Sequence, residues 1–173
     1  GVEARGEAYG FENASLVSLD PKSGEILAMV GSKDYFDEEI DGAVNVTLRP
    51  RQPGSSIKPM VYTAGFLRGY TPKTILYDVV TTFKTELSDY TPHDYNADIE
   101  FGPITVPQAL QGSLNIPAVN MISLVGVQNF LDFAQTLGYS TFEDRSRFGL
   151  SVVLGGGEVT LLDHTSAYGA LAT

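Results

Sequence analysis

Two short stretches carry side chains that can do chemistry together. In Ser55-Ser56-Ile57-Lys58 a hydroxyl and an amine stand three residues apart, immediately after Pro53 and Gly54. If a helix begins near Gly54 or Ser55, positions 55 and 58 lie one turn apart on one face, and the Lys58 amine can reach the Ser55 hydroxyl. The helix start also offers unpaired N–H groups and a partial positive charge, which favour the oxyanion that forms when a serine attacks a carbonyl. A lysine serves as base only when its pKa falls, which burial or a second cation brings about. The same residues also make an ordinary turn. Serine is common at N-caps, Ser-x-x-Lys occurs by chance about once in a chain of this length, and Pro59 suits a first helical position, which leaves Ser55 to Lys58 in the preceding turn.

The second stretch is Ser113-Leu114-Asn115. A hydroxyl and a carboxamide two residues apart in an extended turn point the same way and can relay a proton while holding a substrate amide. Serine and asparagine between two helices equally serve as caps and turn formers. Other chemistries have little to work with. Cysteine is absent, and the two histidines, His93 and His164, are far apart in sequence and near no acidic cluster, so neither a metal nor another cofactor is expected. The carboxylates of Asp34, Asp37, Glu38, Glu39 and Asp41 lack the alternate-residue spacing of a calcium loop.

The elements that must position these residues follow from the pattern around them. "ASLVSLDPKSGEILAMVG" (14 to 31) reads as two strands joined by the turn Asp20 to Gly24, and an acidic solvated loop follows to residue 42. Ile57, Val61, Ala64 and Leu67 recur at helical spacing up to Gly69. Tyr70 to Gly102, rich in Pro, Thr, Asp and Tyr, reads as a long loop with short extended pieces. Thr105 and Gln108 form a capping box for a helix that Gly112 ends; a third helix is expected from Pro117 to Val125 and a fourth over "VQNFLDFAQTL" up to Gly138. A glycine-rich loop then leads to Thr160 as N-cap of a helix expected to run to the last residue. A lone hairpin cannot cover several amphipathic helices, so the expectation is an incomplete α+β domain: an N-terminal hairpin and acidic loop (1–48), a mostly helical region (49–173), and further strands beyond Thr173.

Composition narrows the partners. A net charge of −10 with 11 basic residues, none clustered, argues against nucleic acid. No uninterrupted apolar stretch is long enough to span a membrane, so any anchor is expected outside these residues.

Taken together, "RQPGSSIKP" (51–59), "GPITVPQALQGSLNIPAV" (102–119) and "LGGGEVTLLDHTSAYGALA" (154–172) resemble the transpeptidase domain of bifunctional, class A penicillin-binding proteins, as does the opening strand pair. The signature of that superfamily is Ser-x-x-Lys, a serine-x-asparagine type motif and Lys-Thr-Gly. The resemblance implies the transpeptidase fold shared with serine β-lactamases, with Ser55 as acylated nucleophile, Lys58 as its base, Ser113 as proton relay and Asn115 as the group holding the substrate's peptide carbonyl. It implies a peptidoglycan stem peptide ending in D-Ala-D-Ala as substrate, β-lactams as acylating inhibitors, and a place on the outer face of the bacterial membrane. The sequence departs from the pattern at two points. Lys-Thr-Gly is missing, since Lys84-Thr85-Glu86 has the wrong third residue and precedes Ser-x-Asn; an unfinished, inactive site is therefore expected. In "YTPHDY" the usual asparagine is replaced by Asp94. A carboxypeptidase or β-lactamase on the same scaffold, or a non-catalytic penicillin-binding sensor or structural module, is the competing reading.

Overall fold

Strands form where apolar residues alternate or a tight turn reverses the chain, and helices where they recur every third or fourth residue. A computed structural model describes residues 1–85 and 89–173, so Glu86 of the Lys84-Thr85-Glu86 near-match lies outside the described residues. The described chain falls into two compact units.

The first unit comprises residues 1–51, 137–141 and 159–173. It opens with α1 (Val2–Tyr9), a helix without an apolar face, which periodicity in the sequence does not reveal. Strands β1 (Leu16–Leu19) and β2 (Ile26–Val30) pair antiparallel as expected, with Leu16 opposite Val30. Their turn is closed by the Asp20 carboxylate, which accepts the Lys22 N–H at 2.9 Å. The final helix of the chain, α6 (Leu161–Gly169), packs against β1. Thr160 caps it by accepting the Asp163 N–H at 3.0 Å. The helix closes at Gly169 and does not run on to Thr173 as the sequence pattern suggests.

The second unit comprises residues 52–136 and 142–158. A 3-10 turn, Gly54–Ile57, leads directly into α2 (Lys58–Leu67). The α-helix proper thus begins at Lys58 with Pro59 in its first turn, where the missing N–H of proline costs nothing. Strands β3 (Ile75–Asp78) and β4 (Gly102–Thr105) pair antiparallel, Leu76 opposite Ile104. This second sheet adds to the single hairpin that the sequence shows, and β3 is one of the short extended pieces expected between Tyr70 and Gly102. Each strand has four residues, too few to show a period, and a long excursion separates them. Next come α3 (Val106–Gln111), with its Thr105/Gln108 capping box, α4 (Asn115–Val125) and α5 (Val127–Thr136).

Helix α4 is the core of this unit. Ala118, Val119, Met121 and Ile122 are fully buried, and a fully buried Met or Ile contributes on the order of 2 kcal/mol. It packs on α2 where Gly65 leaves room for the Met121 sulfur. Among the described residues no single helix is long and apolar enough to cross a membrane.

Candidate active site

Chain reversal between α3 and α4 sets the first part of the site. The N–H of Ser113 bonds to Leu110 O and that of Leu114 to Ala109 O, both at 3.0 Å. This is the double bond pattern of a Schellman helix end, which requires a left-handed residue just past the cap. That residue is usually glycine; here it is Ser113, at φ 49. A left-handed conformation costs an L-residue roughly 1 kcal/mol, so a serine at this position points to a need for its side chain.

Lys58 supplies the second part. It is 0 % exposed, and its Nζ donates to Ser113 O at 2.6 Å, to Asn115 Oδ1 at 2.8 Å and to Ser113 Oγ at 3.4 Å. Burial pulls its pKa down to about 8, against the opposing pull of the Asp94 charge. Near pH 7.5 about a quarter of such amines are neutral, against about one in a thousand for an ordinary lysine. A neutral amine has two N–H bonds and one lone pair. With Ser113 O and Asn115 Oδ1 accepting the two hydrogens, the lone pair is left to take a proton.

Ser55 sits in the 3-10 turn one residue past Gly54 and is exposed. Its carbonyl accepts the Lys58 N–H, but among the described residues its hydroxyl makes no hydrogen bond to the Lys58 amine. The neighbouring Ser56 hydroxyl turns back instead to donate to Pro53 O at 2.6 Å. Gly54 and Gly155 both have positive φ, 57 and 87, and a Cβ on Gly155 would collide with the Gly54 backbone. The glycine-rich loop thereby rests directly on the segment that holds Ser55.

Asn115 is fixed from three sides. Its Oδ1 accepts from Lys58, its Nδ2 donates to His93 O at 2.9 Å, and its backbone N–H donates to Asp94 Oδ1. Asp94 Oδ1 also accepts the Ile116 N–H at 3.2 Å. This carboxylate is the cap of α4, and it explains why the helix begins at Asn115, two residues before the expected Pro117: the capping group comes from 21 residues upstream. Asp94 itself stands against Asp78, which is 0 % exposed and whose carboxyl is pushed up to about 6 by burial and by the facing Asp94. Burial and the Asp94 charge also raise the Tyr62 hydroxyl. Neither Asp78 nor Tyr62 belongs to a motif that sequence reasoning singles out. The one available signal is a charged residue, Asp78, at the end of a run of strand-forming side chains.

The structure therefore brings Lys58, Ser113 and Asn115 into one hydrogen-bonded cluster and leaves Ser55 at its exposed rim. Beside Ser113 a cavity of about 610 Å³ opens, lined among others by Tyr95, Ile99, Phe101, Gln108 and Leu114.

Comparison with known proteins gives a consistent result. The model of the family described as penicillin binding protein transpeptidase domain matches residues 14–166. Penicillin-binding protein 1A of Aquifex aeolicus is 35% identical across 97% of this chain, and penicillin-binding protein 2D of Bacillus subtilis 32% identical across 90%. The chain spans 22% of each of these relatives, about a fifth of their length. Among solved structures, penicillin-binding protein 1A from Haemophilus influenzae superposes with a TM-score of 0.79 at 28% identity, over 91% of this chain and 23% of that one. PonA1 from Mycobacterium tuberculosis in complex with penicillin V, at 19% identity and a TM-score of 0.77, shows the same fold over 99% of this chain and 47% of that one.

Proposed function

Because the chain belongs to the family of penicillin-binding protein transpeptidase domains, we propose that it carries the nucleophile of a peptidoglycan D,D-transpeptidase. The observation that supports this most is the buried Lys58, its charge disfavoured, with two of its contacts satisfied by Ser113 O and Asn115 Oδ1.

In this reading Ser55 Oγ attacks the carbonyl carbon of the D-Ala-D-Ala bond, and its proton passes to the Lys58 lone pair. The C–N bond then breaks, and the leaving D-alanine amine takes a proton relayed through the Ser113 hydroxyl. Asn115 holds the peptide carbonyl through its amide. An amine of a neighbouring stem peptide attacks the resulting ester, transfers the acyl group to itself and returns the proton to Ser55. A β-lactam opens on the same serine and stays attached. The reaction takes place on the outer face of the bacterial membrane, where stem peptides are.

The sequence contains no Lys-Thr-Gly, so the 173 residues by themselves hold a nucleophile without that motif's contribution and acylate weakly or not at all. The test is covalent labelling of the protein at its natural length by a fluorescent penicillin, with the modified peptide identified by mass spectrometry. Label on Ser55 that is released slowly supports a transpeptidase. Rapid turnover of the label excludes it in favour of a β-lactamase.

A further inference from the structure

The site contains a pair of buried acids for which the acyl-transfer scheme has no use. Asp78 ends β3 and is 0 % exposed, while Asp94, in the loop before β4, is 9% exposed. One oxygen of each is satisfied by backbone: Asp78 Oδ2 accepts the Phe101 N–H at 2.9 Å, and Asp94 Oδ1 accepts those of Asn115 and Ile116. The other two oxygens, Asp78 Oδ1 and Asp94 Oδ2, are buried and have no hydrogen-bond donor among the described residues, although the two carboxyls lie within hydrogen-bonding reach of each other.

Two ionised carboxylates do not face each other in a buried site at low cost, because like charges in a poorly solvated place repel and each orphaned acceptor loses its water. One proton removes both problems, since it neutralises one acid and supplies the missing donor. We propose that Asp78 and Asp94 share a single proton between Asp78 Oδ1 and Asp94 Oδ2, and that Asp94, through the Oδ1 that caps α4, is a positioning residue for Asn115 and Lys58. The proton comes from solvent, and no other bond is made or broken. The positioning half rests on the acyl-transfer reading above; the shared proton does not.

The surroundings agree with this assignment. From α2, Lys58 and Tyr62 face Asp94, and from the stretch before β4, Glu100 adds negative charge near Asp78. From α4 only the backbone N–H groups of Asn115 and Ile116 reach the pair. The Asp78 carboxyl is raised from the ordinary 3.8 to about 6, so the folded state binds the proton more tightly than the unfolded chain. The stability it confers is full below about pH 4 and is lost as pH rises through about 6. Asparagine at position 94 offers the same acceptor to α4 and a permanent N–H donor to Asp78, and so replaces the bridge without a proton.

The test compares the protein at its natural length with Asp94→Asn, Asp78→Asn and Asp94→Ala. Melting temperatures of the unsubstituted protein and of each asparagine variant are expected to diverge as pH is raised from about 4 to about 8, the asparagine variants gaining. A difference that stays constant over this range overturns the shared proton. Asp94→Ala is expected to slow acylation by penicillin at least tenfold, and Asp94→Asn to restore it with the rise of rate against pH moved to lower pH, because the charge that keeps Lys58 protonated is gone. Failure of asparagine to restore the rate, or an unmoved pH profile, overturns the positioning role. An unsubstituted protein that penicillin does not acylate overturns the acyl-transfer reading and the positioning role with it, while the melting comparison still decides the proton.

Discussion

The amine of Lys58 lies 2.6 Å from the carbonyl oxygen of Ser113, a residue held in a left-handed conformation at the end of another helix. The backbone distortion and the buried cation are thus two sides of one contact. The left-handed turn at Ser113 accompanies the approach of both its carbonyl and its hydroxyl to the amine.

Removing the proposed nucleophile is the most direct test. Ser55→Ala is expected to abolish covalent penicillin labelling while leaving the melting temperature within a degree or two, because an exposed side chain contributes little to stability. Persistent labelling, read by mass spectrometry, would place the nucleophile elsewhere.

Lys58 gives a prediction in rate and one in stability. Lys58→Ala is expected to slow acylation by on the order of a hundredfold to ten-thousandfold, the range for loss of a general base. In the unsubstituted protein the rate should climb as pH rises through about 8, the point at which the amine loses its proton. Its folded pKa lies below the ordinary 10.5, so its contribution to stability is full above about pH 10.5 and falls away as pH drops through about 8. A pH series of denaturation midpoints should therefore show the unsubstituted protein gaining on Lys58→Met as pH rises across that window, by up to about 3 kcal/mol.

Ser113→Gly separates fold from chemistry. Glycine occupies left-handed backbone without penalty, so the variant is expected to be as stable as the parent or up to about 1 kcal/mol more so. Acylation should nevertheless slow, since the hydroxyl near Lys58 is lost. Ser113→Ala, which retains the strain, should melt lower than Ser113→Gly in a thermal scan.

Gly155→Ala is expected to do damage at a distance along the sequence. Both the positive φ and the collision with the Gly54 backbone oppose a methyl group there, at a combined cost of about 2 kcal/mol or more. The segment carrying Ser55 must shift to admit it, so penicillin labelling should slow along with the fall in melting temperature.

What is legible in the sequence is local. The hairpin over 16–30, the Thr105/Gln108 capping box and the Thr160 cap all rest on residues within a few positions of one another. The pairs Ser55/Lys58 and Ser113/Asn115 are visible as candidates for the same reason. What joins them is not: the contact of Lys58 with Asn115 crosses 57 positions, and the Asp94 cap crosses 21. The sheet of β3 and β4 is hidden because four-residue strands separated by a long loop carry no period, and the start of α4 is displaced from its expected place because its cap is not beside it in sequence. Composition and spacing do not reach the pairing of Asp78 with Asp94, since only the folding of the excursion between β3 and β4 puts two acids 16 positions apart against each other.

A helix that borrows its cap inherits the dynamics of the lender. The first amides of α4 are closed off by Asp94, which belongs to a loop preceding β4, whereas the middle of the helix is sealed by α2. Deuterium should therefore enter at Asn115 and Ile116 whenever that loop lifts, while Val119 and Met121 stay protected until the whole unit opens. Since the Asn115 side chain leaves with its backbone, excursions of the 94 loop would act as an intermittent clutch on the lysine, engaging and releasing it faster than the fold itself unravels.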